Sequence, residues 1–163
     1  MMDAMLDDGV LQFLQRRVLV SIASCNREGV PSVVRGVGFR ILQAPQRVAV
    51  FLRKDDSGAV LADIRQSGRV AVVFSEPSTH RTLQVKGEDA QVGGLQDGDA
   101  PLVAQHRESA AAELAPLGYR PEWTRTLFDA SACEVLAVRF TPCSAFGQTP
   151  GPRAGAPLAG AQP

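Results

Sequence analysis

Along most of the chain, apolar and polar residues alternate with the two-residue period of half-buried strands, and two stretches switch to helical spacing. Leu6, Val10, Phe13 and Leu14 recur at helical intervals and predict a helix that runs into a strand through Val18, Val20 and Ile22. Asn26-Arg27-Glu28-Gly29 carries turn chemistry, so this strand should fold back as a hairpin. From Val33 to Ile41 the apolar positions are Val33, Val37, Phe39 and Ile41, which predicts one strand whose apolar row Arg35 interrupts. A third strand spans Arg47 to Leu52. Ser57 then stands where an N-cap belongs, ahead of Val60, Leu61 and Ile64, with Gly68 as the left-handed end of that helix.

The fourth strand, Val70 to Phe74, is nearly all apolar and reads as buried on both faces. The fifth, Leu83 to Glu88, continues past Gly87 towards Val92 as if bent. Asp99 reads as the N-cap of a second long helix, with Pro101 near its first turn, running through Leu102, Val103, His106, Ala110 and Leu114 until Gly118. Glu134 to Thr141 alternates as a last strand. Residues 1–146 thus read as one domain. Gly147 to Pro163, crowded with proline, glycine and alanine, reads as a C-terminal tail, partly disordered or draped on a partner.

Composition removes several function classes. The 17 Lys and Arg balance the 17 Asp and Glu, so no field of one sign gathers nucleic acid or an anionic membrane. The apolar runs are strand-sized, and Asp3, Asp7 and Asp8 stand where a secretory signal would carry positive charge, so a cytoplasmic protein is expected. Cys25, Cys133 and Cys143 lack metal-ligand spacing and there are only 2 histidines, so no metal site is expected and the cysteines read as free, mostly structural thiols.

The candidate chemistry lies in VPSVVRGVGFR, Val30 to Arg40, and in HRTLQVKG, His80 to Gly87. Arg35 and Arg40 beside Gly36 and Gly38 suit a sheet face that admits a flat anionic ligand, which points to a phosphate-bearing cofactor. A spacing of five puts the two arginines on opposite faces of a regular strand, so a bulge or sharp twist at the glycines is required to unite them.

Hairpin-linked antiparallel strands, with one helix after the third strand and another before the last, describe a mainly β fold with flanking helices, a small closed or split barrel. Together with Arg35 and Arg40, the segment AVLADIRQSGRVAVVF and the HRTLQVKG strand, this order resembles the pyridoxamine 5'-phosphate oxidase-like, FMN-binding split-barrel family. The resemblance is good over Phe13 to Val92 and looser over the last strand. It implies that Arg35 and Arg40, with Gly36 and Val37 between them, hold the flavin phosphate and approach the ring. It implies further contacts at Phe51 and Leu52, at Ser57, and at Thr82, which matches a family glutamine. The family's basic pair after the serine is replaced by Ala59 and Val60, so phosphate neutralisation falls to Arg53 or Lys54. The tryptophan and the arginine-histidine motif that close the true oxidase on its substrate are absent from CSAFGQTPGPRAGAPL.

The resemblance therefore implies an FMN-dependent oxidoreductase acting on a small organic substrate other than pyridoxamine 5'-phosphate. It also implies a homodimer with the flavin at the subunit interface. The alternatives are a flavin- or haem-binding sensor or stress protein without turnover, and a reductase using a deazaflavin. For single residues two readings stand side by side. Arg35 either meets a phosphate or pairs with Glu76 or Glu88, and Arg40 is either a ligand or solvent-exposed. His80 is a candidate proton donor or a plain loop residue, and His106 belongs at the surface or edge of its helix. Tyr119 and Trp123 either cover a neighbouring subunit's flavin or pack locally.

Overall fold

The computed structural model describes residues 5–158. Helix α1 (Asp8–Leu14) begins at Asp7, whose carboxylate accepts the Val10 amide at 2.8 Å, and it buries Val10, Phe13 and Leu14. Strands β1 (Leu19–Cys25) and β2 (Pro31–Arg35) form the predicted hairpin. The predicted second strand is in fact two strands. Gly36 and Val37 carry the chain from β2 into β3 (Gly38–Gln43), which pairs with β4 (Gln46–Arg53) in a different sheet. Helix α2 (Gly58–Ser67) follows and ends at Gly68 with φ of 68°. Next come β5 (Val70–Glu76), β6 (Arg81–Gly87) and the short β7 (Gln91–Gly93), then α3 (Asp99–Leu114), a 3-10 turn and α4 (Pro121–Leu127). β8 (Val135–Phe140), β9 (Ser144–Gly147) and β10 (Ala156–Pro157) complete the described chain.

The strands form two antiparallel sheets, a larger one in the order β10-β9-β6-β5-β1-β2 and a smaller one in the order β3-β4-β8-β7. The fold is mainly β with flanking helices, and the hydrogen-bonded ladders of the two sheets do not run into one another among the described residues. Their inner faces share one core: Ile22, Val72, Phe74 and Val85 meet Val48, Val50, Leu52, Val138 and Phe140, with Val60, Leu61 and Ile64 of α2 closing one side. The other face of the smaller sheet packs Ala49, Phe51 and Ala137 against Val103 of α3. The smaller sheet is thus covered on both faces. The larger one is not, because β1 and β5 alternate buried and half-buried positions. β5 is therefore an alternating strand, and its apolar outer residues Ala71 and Val73 remain partly open.

The bend expected after Gly87 is a change of sheet: β6 stays in the larger sheet and β7 pairs with β8 in the smaller. The stretch after Gly147 folds back on itself, with β10 pairing to β9 and Leu158 packing on the core. Residues 159–163 of the expected tail lie outside the described residues. Helix α4, opened by Pro121, is an element that the apolar pattern did not reveal.

Helix α3 is fixed to the smaller sheet by its first residue. Arg40 and Arg139 oppose Ala49 from either side, so both guanidinium stems rise from one row of the sheet. The Asp99 carboxylate, 1% exposed, accepts Arg40 Nη1 at 3.1 Å and Arg139 Nη2 at 2.6 Å. It also accepts the Gln96 amide at 2.8 Å, turning the chain into the helix. Gly98, at φ of 87°, makes that turn possible, and a Cβ there would lie 3.3 Å from Arg40. Asp99 is thus the first residue of α3 and the anion of a buried triad rather than an N-cap. Replacing it with asparagine should lower unfolding free energy by about 3 kcal/mol, the scale for breaking a buried ion pair and leaving its cations behind. Urea denaturation of Asp99→Asn checks this, with Glu28→Gln, on the exposed β1–β2 turn, as the control.

Candidate functional site

Arg35 ends β2 on the larger sheet and Arg40 lies on β3 of the smaller. The structure therefore separates the two arginines that the sequence joined. Arg40 is partly exposed but not free: Asp99 holds it, and the Asp97 carbonyl accepts a further bond from its Nη1 at 3.0 Å. Arg35 makes no salt bridge among the described residues, so neither Glu76 nor Glu88 is its partner. Its guanidinium carbon lies 5.3 Å from the centre of the Phe128 ring.

Cross-strand register puts Arg35 opposite Ser21, Ser21 opposite Val73, and Val73 opposite Gln84. These residues form one row across the outer face of the larger sheet, and Thr82 stands on that face two residues before Gln84. Three strand spacings separate Arg35 from Gln84, roughly 14 Å. Thr82 is less free than its row position suggests, since its hydroxyl donates to the His80 carbonyl at 3.0 Å and its amide to Thr149 at 3.0 Å. His80 is exposed, in the left-handed region at φ of 60°.

A second group gathers on the segment from Phe128 to Glu134. Arg53 Nη1 donates to the Asp129 carbonyl at 3.4 Å, and Lys54 Nζ to the Cys133 carbonyl at 2.7 Å. Arg107 donates to the Asp129 carboxylate at 2.8 Å. With Arg35 on Phe128, four cationic side chains touch one short stretch. Ser57 precedes α2 but gives its hydroxyl to Asp56 at 3.2 Å, and no side chain caps the helix. The first-turn amides of α2 thus lack a side-chain acceptor, and a Cβ on Gly58 would meet nothing within 4 Å.

The remaining expected contacts are structural. Phe51 and Leu52 are fully buried, on opposite faces of the smaller sheet. Val37 is buried, and its amide donates to the Phe51 carbonyl at 2.8 Å. At Gly36 a Cβ would lie 2.7 Å from Val20, so core packing requires this glycine. Cys133 and Cys143 are exposed thiols and Cys25 is half-buried, so the cysteines are free but not core residues.

Tyr119 and Trp123 stack on each other with centroids 6.0 Å apart, both exposed. His106, expected at a helix surface, is buried between Phe39 and Phe128, with centroid distances of 6.1 and 5.7 Å. The alanine-rich turns of α3 give little contrast between its faces, so no apolar stripe marked His106 as an inward position. Gln84 and Arg107 were missed as well; only the two-residue spacing of Gln84 from Thr82 pointed to it.

No family model matches the sequence, and no curated protein does. The fold is shared with solved structures of low sequence identity. A candidate pyridoxamine 5'-phosphate oxidase from Lactobacillus delbrueckii is 18% identical, with a TM-score of 0.53 over 86% of this chain and 93% of that one. HupZ of Group A Streptococcus is 13% identical, with a TM-score of 0.55 over 88% and 99%. An F420 reductase is 15% identical, with a TM-score of 0.55 over 85% and 97%. The resemblance read from the sequence is thus a resemblance of fold.

Burial pushes the His106 imidazole from its ordinary 6.5 down to about 4. The folded state then binds its proton later than the unfolded chain does as pH falls. Stability is unaffected by this group above about pH 6.5, declines below it, and levels off near pH 4, a loss of at most about 3 kcal/mol. The expected outcome is a shallower decline for His106→Phe than for wild type between pH 7 and 4.5, read from urea midpoints at each pH.

Proposed function

We propose that this chain is an FMN-binding, oxidoreductase-like protein of the split-barrel kind. In this reading it works as a homodimer on a small organic substrate that is not pyridoxamine 5'-phosphate. The observation that carries it is Arg35: a guanidinium without a carboxylate partner among the described residues, at the end of a cross-strand row on a half-open sheet face, in a fold shared with a candidate pyridoxamine 5'-phosphate oxidase. The residues suit the phosphate end of the cofactor. Arg35 offers a rigid fork for phosphate oxygens, Lys54 carries no carboxylate partner, and the uncapped start of α2 presents backbone amides. They suit the ring end only in part. Arg40 is committed to Asp99, and the ring contact assigned to it passes to Gln84 and Thr82 on the face that Arg35 shares.

Bound FMN would supply the acceptance and release of hydride or electrons; the chain's own residues bind, orient and shield. A deazaflavin is the second reading, favoured by the F420 reductase of the same fold, since the same cradle takes its phosphate. The absorbance spectrum of the loaded protein separates the two.

The half-open face supports the dimer. Val33 is 70% exposed, and the small residues Ser21, Ala23, Ala71 and Val73 behind it have no covering layer comparable to α3 on the smaller sheet. A second copy on this face would enclose the row from Arg35 to Gln84 and bury more than about 2,000 Å² in total. Helix α3 already covers the smaller sheet's outer side, which makes the larger sheet the place for a partner.

Titration with micromolar FMN should quench its fluorescence and raise the melting temperature, and Arg35→Ala should weaken binding by about 2 kcal/mol. Absence of both signals in the wild type overturns the cofactor assignment, whereas unchanged affinity in Arg35→Ala overturns only the role of Arg35. Light scattering should give the mass of two chains for wild type, shifted towards one chain by Val33→Asp. A wild-type monomer that still binds FMN would sink the shared-interface reading alone.

A further inference from the structure

A cleft of about 510 Å³ lies between α1 and α3 along β3, lined by Leu11, Leu14, Val18, Phe39, Ile41 and Leu102, and by His106. It is separate from the group around Arg35: the rings of Phe128 and His106 stand between them. Its volume is that of a small-molecule site, and its walls are about equally polar and apolar, the apolar part formed by the leucines, Val18, Phe39 and Ile41. Two arginines also line it, but neither brings free charge. Glu76 holds Arg16 at 2.6 Å, and Asp99 holds Arg40 at 3.1 Å. Burial alone would raise the Glu76 carboxyl, yet hydrogen bonds from Thr79 and Arg16 outweigh it and keep the group ionised below the usual range. An anion therefore finds no unspent cation in the cleft, and a cation finds no unspent carboxylate.

His106 is the one polar group there with an unmet need. It is 6% exposed, and its Nε2 is buried without a hydrogen-bond partner. Phe39 and Phe128 stand edge-on to the ring and offer nothing to a nitrogen lone pair. A buried polar atom left unpaired costs about 1–3 kcal/mol, and a ligand that supplies a donor recovers it. The imidazole is neutral at physiological pH, so one ring nitrogen is an acceptor. His106 lines the cleft, and rotation about χ2, soft for an imidazole, is the movement by which its acceptor would meet a ligand there.

We infer that the cleft between α1 and α3 is a second ligand site, taking an uncharged hydroxyaromatic molecule whose ring lies against Phe39 and the leucines and whose hydroxyl donates to His106. This goes beyond the flavin reading and does not depend on it. The exposed amides of Gln15, Gln43 and Gln105 at the rim serve further polar groups of the ligand.

The test uses the full chain at pH 7 with two fluorescent probes, 2-naphthol and 2-methoxynaphthalene, which differ in the hydroxyl hydrogen. Wild type should bind 2-naphthol about tenfold more tightly than the methyl ether, the scale of one hydrogen bond to a buried acceptor. The imidazole ¹⁵N resonances of His106 should shift with 2-naphthol and much less with the ether. His106→Phe, which keeps an aromatic ring in place, should bind the two probes equally. Equal affinity of both probes for wild type, no binding of either, or unmoved His106 resonances would overturn the proposal, and so would a preference that survives in a folded His106→Phe. The wild-type comparison and its resonances decide the matter even if the variant does not fold.

Discussion

The Asp99 carboxylate, held between Arg40 and Arg139 above Ala49, is the constraint on which the functional half of the molecule depends. A carboxylate this deeply buried is tolerable only when its lone pairs are filled, and here two guanidiniums and the Gln96 amide fill them. Ala49 is the residue over which the anion sits, and its short side chain leaves the room. The consequence extends along α3. With its first residue pinned, the helix lies close to β3, where a Cβ on Gly38 would come within 3.4 Å of the helix backbone, and His106 is delivered between Phe39 and Phe128. The same clamp engages Arg40 Nη1, while the side chain stays partly exposed at the wall of the cleft beside α1.

The second constraint is the passage of the chain between sheets at Gly36 and Val37. The Gly36 amide stays with Val20 in the larger sheet at 2.8 Å, while the Val37 amide already pairs with Phe51 in the smaller. One residue thus separates two hydrogen-bonding environments. Glycine is needed because Val20 and Val50 close on the position where a side chain would be. This junction leaves Arg35 as the last residue of one sheet, with a guanidinium that reaches the Phe128 ring rather than a carboxylate.

Much of this architecture was legible in the sequence, because period and punctuation are local signals. Asn26 to Gly29, Gly68 and Gly118 ended elements where they were expected to. The strand from Val33 to Ile41 was misread because two short strands in tandem keep the period of one long strand. The glycines did give notice of a distortion, read as a bulge where the structure has a change of sheet. β9 and β10 were missed because their stability comes from pairing with distant β6 and with each other, not from their own composition. At the candidate site, Arg35 and Arg40, which the resemblance joined, lie in different sheets, while Arg35 and Thr82 share the outer face of the larger one. The side chains of Phe51 and Leu52 are core side chains, and the packing of Val20 and Val50 holds Gly36 to glycine. No local pattern distinguishes a ligand contact from a core contact on a strand buried from both sides, as β4 is.

What one chain lacks can be argued from the same geometry. The smaller sheet has helices on one face and the larger sheet on the other, so every apolar side chain of β4 from Val48 to Leu52 is buried. The larger sheet has only its inner face satisfied. Its outer face presents Val33, Ala23, Ala71 and Val73, which gain nothing from water, beside Arg35 and Gln84, which do. Apolar side chains set beside a cation and an amide are poorly suited to remain a free surface and equally poorly suited to a purely hydrophobic contact. A cover that pairs apolar area with a phosphate and a polar ring edge satisfies both kinds of residue at once, and a second copy of the chain enclosing a flavin is a cover of that composition.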